Sequence, residues 1–306
     1  MASMKTRVIP GTALHVSPVC LGTMTFGSPV GEAEAIRLVD GALDLGVNFI
    51  DTANIYEGYT RVIGSAGGAA ERILGKALAG RWDAVVLATK VGMKIGDAPE
   101  DEFNSPAAIR KQLDASLKRL GTDRVDLYYL HRPDPKTPLM EMLSALEEAI
   151  RHGKIRHYAV SNYSTQQLAQ LLTTADANGV PRPVACQPPL SLLKRDVLND
   201  LVPLCAKEHI AVVPYNVLQG GLLTGKYQKG KPPPTSSRGA EKPDWLRAPD
   251  DATHERLDEI QRQANAEGVT MTQFSIRWVL AQPAVVSAII GVKRIEQLQE
   301  AVAAVS

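Results

Sequence analysis

Apolar residues in this chain fall into two alternating patterns. Short, nearly unbroken runs at 19–21, 48–50, 85–89, 125–130, 155–160, 184–186, 210–214 and 285–290 have the character of strands buried on both faces. Between them lie helical stripes: Ile36, Val39 and Leu43; Ile73, Leu74 and Leu78; Ile109, Leu113, Leu117 and Leu120; Leu139, Met142, Leu143, Leu146 and Ile150. Gly46, Gly121 and Gly153 close helices, Ser105-Pro106 and Thr137-Pro138 open them, and Ser164 with Gln167 has capping-box spacing. Further helices are predicted around 197–204, 252–266, 271–281 and 295–305. Segment 7–16 reads as two short strands around Pro10-Gly11, a plug or cap. Segment 219–249 is rich in Gly, Pro and Lys with weak periodicity, and reads as a mobile loop.

Strand and helix alternate eight times without a linker or composition break. Residues 1–306 are therefore predicted to form a single α/β domain, a (β/α)8 TIM barrel with a short N-terminal hairpin. An open doubly wound sheet is the alternative, but no Gly-x-Gly-x-x-Gly follows the first strand.

Composition narrows the partners. The 34 Lys and Arg balance 33 Asp and Glu, which gives no electrostatic footprint for nucleic acid or an anionic membrane and points to a small-molecule partner. Cys20, Cys186 and Cys205 are scattered and form no CxxC pair, as suits a reducing compartment. The N-terminus shows no apolar signal region, and no apolar run approaches the ~20 residues needed to span a bilayer. A cytoplasmic location is expected.

The candidate chemistry is positional. Asp51, Lys90, His131, Asn162, Gln187 and Tyr215 all fall at or just past the C-terminal ends of predicted strands, and in a barrel those ends converge on one face. Tyr56 follows Asp51 by five residues. A phenol with an ordinary pKa of about 10 is a poor acid at neutral pH, and a lysine cation beside it lowers that value. Asp51 would hold the lysine, and a neutral His131 would donate a hydrogen bond to a carbonyl oxygen. Together the four could protonate an alkoxide developing on a carbonyl, but none supplies hydride, so a nicotinamide cofactor is required.

Several motifs resemble those of aldo-keto reductases, and the resemblance runs nearly the whole length of the chain. They are 48–53 (Asn-Phe-Ile-Asp-Thr-Ala) with Tyr56, 71–78 (Glu-Arg-Ile-Leu-Gly-Lys-Ala-Leu), 87–90 (Leu-Ala-Thr-Lys), 125–131 (Val-Asp-Leu-Tyr-Tyr-Leu-His), 153–156 (Gly-Lys-Ile-Arg) with 160–162 (Val-Ser-Asn), and 220–227 (Gly-Gly-Leu-Leu-Thr-Gly-Lys-Tyr). The resemblance implies a barrel that uses NADPH, less often NADH, with Tyr56 as general acid supported by Asp51, Lys90 and His131. It further implies that Ser161, Asn162 and Gln187 hold the carboxamide and Tyr215 stacks on the nicotinamide. The 219–226 loop, with Gly220, Leu222 and Lys226, would lie over the pyrophosphate, Asn216 and Leu218 would be further cofactor contacts, and Gly291, Lys293, Arg294, Gln297 and Glu300 would meet the adenosine end. Lys293 and Arg294 beside a helix N-terminus would favour the extra phosphate of NADPH. Two positions depart from the pattern: Ala301 stands where the family usually has asparagine, and residues 57–70 form an extended loop at the presumed substrate mouth.

The function expected is NADPH-dependent interconversion of a carbonyl compound and its alcohol. The alternatives are a nicotinamide-binding regulatory subunit on the same barrel and a barrel hydrolase working without cofactor. The 220–226 run is a near-miss for a P-loop, because Tyr227 replaces the metal-binding Ser or Thr, and the histidines lack close zinc-ligand spacing. Substrate preference is expected from 24–30, 57–70, 93–104 and 219–249, with Met24, Phe26, Tyr59 and Met93 favouring an apolar or ring-bearing substrate.

Overall fold

Strands in this chain are buried on both faces and the chain returns to each next strand through a helix, which requires parallel pairing. A computed structural model of the protein describes residues 4–246 and 248–305. A two-stranded antiparallel hairpin, β1 (Arg7–Val8) and β2 (His15–Val16), comes first. Then follow β3 (Val19–Gly22), α1 (Glu32–Asp44), β4 (Phe49–Asp51), α2 (Ala69–Ala77), β5 (Val86–Val91), α3 (Pro106–Leu120), β6 (Val125–Leu130) and α4 (Leu139–Arg151). The second half holds β7 (Ile155–Ser161), α5 (Thr165–Asn178), β8 (Ala185–Gln187), α6 (Leu201–Lys207), β9 (Ala211–Val212), α7 (Arg238–Glu241), α8 (Asp251–Ala266), α9 (Met271–Leu280), β10 (Ala288–Gly291) and α10 (Ile295–Val302).

Strands β3 to β10 form one parallel sheet in the order β10-β3-β4-β5-β6-β7-β8-β9. Its two ends meet: Val212 bridges Val285, and Val286 N and Ile289 N donate to the carbonyls of Val212 (3.0 Å) and Pro214 (2.9 Å). The result is the (β/α)8 barrel. Alternate strand residues divide between two apolar layers. Val19, Leu21, Ile50, Leu87, Tyr128, Leu130 and Val160 pack outward against the helices, while Cys20, Phe49, Ala88, Leu127, Tyr129, Ala159 and Ala185 fill the barrel. Ile9, Leu14 and Val16 of the hairpin join the inner layer and close its floor. Asn48 fixes that plug, accepting from Ser17 N at 2.7 Å and donating to the His15 carbonyl at 2.8 Å.

Most predicted helix ends have the expected chemistry. Ser105 Oγ accepts from Ala108 N, Gly121 is left-handed at φ 70°, and Ser164 with Gln167 makes a reciprocal capping box. Thr137 differs: its hydroxyl donates to Asp134 Oδ2 at 2.6 Å instead of capping α4. The segment predicted as a mobile loop, 219–249, carries a 3-10 turn at Gln219–Thr224, the short α7 and a second 3-10 turn at Pro243–Trp245. It lacks periodicity because its apolar side chains, Leu222 and Leu223 among them, join a satellite cluster with Leu257, Ile260 and Met271 instead of facing the barrel in a regular row. Among the described residues no helix is long and apolar enough to cross a membrane.

Candidate active site

Strand parity that fills the barrel also builds the site. Phe49, Ala88, Tyr129, Ala159, Ala185 and Val213 belong to the inner layer. Two positions further on from each, continuing the same inward row, stand Asp51, Lys90, His131, Ser161, Gln187 and Tyr215. The row changes from apolar to polar where the strands end. On β3 the equivalent position is Gly22, where a Cβ would come within 2.7 Å of Ile289 Cγ2.

Lys90 is fully buried, and its ammonium uses all three donors. Nζ donates to Asp51 Oδ1 at 2.5 Å, to the Thr52 carbonyl at 2.9 Å and to the Tyr56 hydroxyl at 3.1 Å. Tyr56 is held by its own backbone: its N–H donates to the Ala53 carbonyl, and its carbonyl accepts from Ala70 N at the start of α2. The His131 ring meets the Tyr56 ring edge-on, with centroids 6.0 Å apart.

Burial opposes the Lys90 charge, but Asp51 and Tyr56 together hold it above its ordinary range. Burial also raises the Tyr56 hydroxyl; Lys90 pulls it back and Asp51 pushes it up again, leaving it above an ordinary phenol. The sequence argument that Lys90 lowers Tyr56 thus captures one contribution and misses the larger desolvation. Burial, then Lys90 and Arg132, push His131 well below its ordinary value, which keeps the imidazole neutral near pH 7. His131 Nδ1 is buried without a partner among the described residues.

A second hydrogen-bonded chain runs beside the first. Tyr215 OH donates to Asn162 Oδ1 (2.8 Å), Asn162 Nδ2 donates to the His131 carbonyl (2.9 Å), and Ser161 Oγ donates to the Gln187 carbonyl (2.9 Å). Asn162 and Asn216 hold left-handed backbone at φ 63° and 58°, a conformation asparagine tolerates better than most residues. The Gln187 side chain does something the sequence does not reveal: Nε2 donates to Asp51 Oδ2 at 2.9 Å.

Asp51, Tyr56 and His131 line a cavity of about 850 Å³; Lys90 lies behind Tyr56. Of the residues singled out for a cofactor, Ser161, Asn162, Gln187, Tyr215, Asn216, Leu218, Gly220, Lys226, Gly291, Lys293, Arg294, Gln297 and Glu300 line it too. Leu222 is the exception; its side chain packs with Leu192, Leu257, Ile260 and Met271 in a satellite core. Ala301 is fully buried in the main core. The lining also includes Gly221 and Thr224 of the 220–227 motif, and Thr272, which no motif marked. Thr272 Oγ1 is buried without a partner among the described residues. Lys226 is pushed down by burial, then by Lys293, Arg238 and Arg294, with Glu241 opposing.

A roof crosses this cationic part. Tyr59, from the 57–70 loop, is buried beside Trp245 (centroids 5.5 Å, edge-on), with Arg238 at 5.9 Å and Lys293 Nζ at 5.0 Å from its ring. Lys293 also donates to the Ser236 carbonyl at 3.0 Å and pairs with Glu241. On its other side the loop is tied to 93–104, because Arg61 donates to the Lys94 carbonyl. The apolar residues expected to shape the substrate are therefore mostly occupied elsewhere. Phe26 is fully buried in the core, Tyr59 serves the roof and Met93 lies outside the lining, which leaves Met24.

A barrel with a buried Asp-Lys-Tyr chain at the mouth of its strands defines the class, and comparison with known proteins agrees. The sequence model of the Aldo/keto reductase family matches residues 18–306. The uncharacterized oxidoreductase YrpG of Bacillus subtilis is 36% identical over 302 residues, covering 96% of this chain and 89% of its own. A rice protein (Oryza sativa) named "Probable voltage-gated potassium channel subunit beta" is 33% identical over 304 residues, 97% of this chain and 90% of its own. Protein tas of Escherichia coli is 32% identical over 319 residues, 97% and 91% respectively. The chain belongs to the aldo/keto reductase family and is an oxidoreductase.

Proposed function

We propose that the protein reduces an aldehyde or ketone to the alcohol, and runs the reverse reaction, with NADPH as hydride donor and Tyr56 as general acid. One observation carries the reading: the Tyr56 hydroxyl sits 3.1 Å from a buried ammonium that is itself anchored on Asp51, at a cavity whose lining continues to a cluster of cations. Lys293, Arg238 and Arg294 crowd Lys226, with Glu241 opposing them, and a phosphorylated dinucleotide would relieve that repulsion. Gly221 at φ 98° fits the same purpose, since a Cβ there would meet Lys226 Cε at 2.6 Å. Arg294 heads α10, where exposed N–H groups add to the attraction for an anion.

When bound, the cofactor supplies the hydride. The chain's residues do the rest. Tyr56 is held protonated by burial, so a proton is in place at its oxygen. Lys90 stabilises the phenolate left when that proton moves, and Asp51 keeps Lys90 charged and fixed. Neutral His131 is suited to hydrogen-bonding the substrate oxygen. Ser161, Asn162 and Gln187 orient the carboxamide, and Tyr215 offers a ring face beside it. The substrate is a small carbonyl compound, and the chain acts in the cytoplasm.

Incubation with NADPH and a panel of carbonyl compounds, followed by loss of NADPH absorbance, tests the reading. Tyr56→Phe should lower kcat roughly 10²–10⁴-fold, the usual worth of a positioned acid, with NADPH still bound. Unchanged turnover in that variant would sink the assignment. A second reading, a nicotinamide-binding regulatory subunit, draws on the name of the rice relative. Sustained turnover, with many NADPH molecules oxidised per protein at a rate typical of enzymes, excludes it.

A further inference from the structure

Gln187 stands at the end of β8 with its side chain almost wholly buried. Nε2 donates to Asp51 Oδ2 at 2.9 Å, while Lys90 holds Oδ1. A carboxylate accepts only, so the amide orientation is fixed: nitrogen toward Asp51, oxygen away from it. The root of the side chain is fixed by the strand ladder, in which Ser161 of β7 pairs with Gln187 and Asn162 N donates to the Gln187 carbonyl at 3.4 Å. We infer that Gln187 is a positioning residue for the Tyr56 proton: by taking one oxygen of Asp51, it leaves more of the Lys90 charge directed at the phenol.

The groups around this chain leave few competing explanations. Facing Tyr56 are Lys90 from β5, Asp51 from β4, Cys20 from β3, His131 beyond β6 and Tyr215 beyond β9. Tyr129 of β6 faces both Asp51 and the Gln187 side chain. Burial holds the Cys20 thiol and the Tyr129 and Tyr215 phenols protonated, and His131 is neutral. The charges felt by Tyr56 are then those of Lys90, which favours the phenolate, and Asp51, which disfavours it. An amide donor on Asp51 weakens the second without touching the first. Without that donor the carboxylate presses harder on both Lys90 and the phenol, and the phenolate becomes harder to form. The contact is between the chain's own residues; it rests on the proposed function only for its meaning in turnover.

The test compares Gln187→Met, which keeps volume and loses both polar ends, with Ser161→Ala, which disturbs the neighbouring chain without touching Asp51. Ionisation of Tyr56 is read as ultraviolet phenolate absorbance, with Tyr56→Phe in the same background subtracted, in free protein and in the NADP⁺ complex. Gln187→Met should move the midpoint up by about half to one pH unit, a part of what a lost hydrogen bond to a charged group is worth, because the amide acts on Tyr56 through Asp51. The alkaline rise of kcat for alcohol oxidation should move with it, and Ser161→Ala should raise KM for the cofactor with the midpoint in place. Gln187→Leu serves the same purpose if circular dichroism shows Gln187→Met to be misfolded. An unmoved midpoint with only a higher cofactor KM overturns the inference, because Gln187 would then be a cofactor contact alone. Absence of turnover in the wild type would instead overturn the proposed function, and the free-protein titration would still decide the role of Gln187.

Discussion

Replacing Lys90 by methionine removes one half of a buried ion pair and leaves the other half in place. The side chains of Lys90 and Asp51 are 0% and 3% exposed, so neither charge has water to fall back on. Breaking such a pair from one side typically costs about 3–5 kcal/mol, because the remaining charge stays buried and unpaired. Here the cost should sit near the lower figure, since Gln187 Nε2 continues to solvate Asp51 Oδ2. Lys90→Met should therefore lower stability by about 3 kcal/mol at pH 7 in urea unfolding. Asp51→Asn with Lys90→Met removes both charges, and the double variant should recover part of the loss, giving a coupling energy of roughly 2 kcal/mol or more. The surface pair Lys76 and Glu32, with side chains half exposed or more, is the control, and its coupling should stay within about 1 kcal/mol. If the buried pair couples no more strongly than the surface one, the account of Lys90 as an anchored charge is wrong.

Two further outcomes are expected. His131 has a folded-state pKa below its unfolded value of about 6.5, so the unfolded chain binds more protons as pH falls through that value. Stability should be fully present above that pH and decline below it, and His131→Gln should flatten the part of the slope that differs from wild type in urea midpoints. Tyr59→Ala strips the roof of its shared aromatic contact; one edge-on ring and two cation contacts together amount to about 1.5–3.5 kcal/mol, which predicts roughly tenfold or more faster NADP⁺ release by stopped-flow fluorescence. An unchanged release rate would show that the roof opens without breaking these contacts.

The barrel and the row of polar strand ends were legible because both follow from local periodicity. A strand alternates faces, so once Phe49 and Ala88 are placed inside, Asp51 and Lys90 two residues later must be inside too. Contacts made between distant loops left no such trace. Tyr59, Arg238, Trp245 and Lys293 come from three separate segments, and their meeting depends on loop paths that no local period encodes. Phe26 reads as a mouth residue by its position after the first barrel strand, yet the chain turns it into the core. The direction of the Tyr56 shift was also hidden, because desolvation depends on everything packed around a group and pairwise neighbours alone do not reveal it.

Beneath Lys90 the barrel is filled with apolar side chains. Phe49, Ala88 and Tyr129 lie under Asp51, Lys90 and His131, and Ile9, Leu14 and Val16 of the hairpin close the floor below them. Under the proposed function, a Tyr56 that had given up its proton would be recharged from the open side, past His131. An alcohol product would leave by the same opening, which would order the two events: product exit, then entry of water, then return of the proton. Proton resupply would then be coupled to product exit, and slowing exit with a bulky alcohol should also delay the return of the phenol.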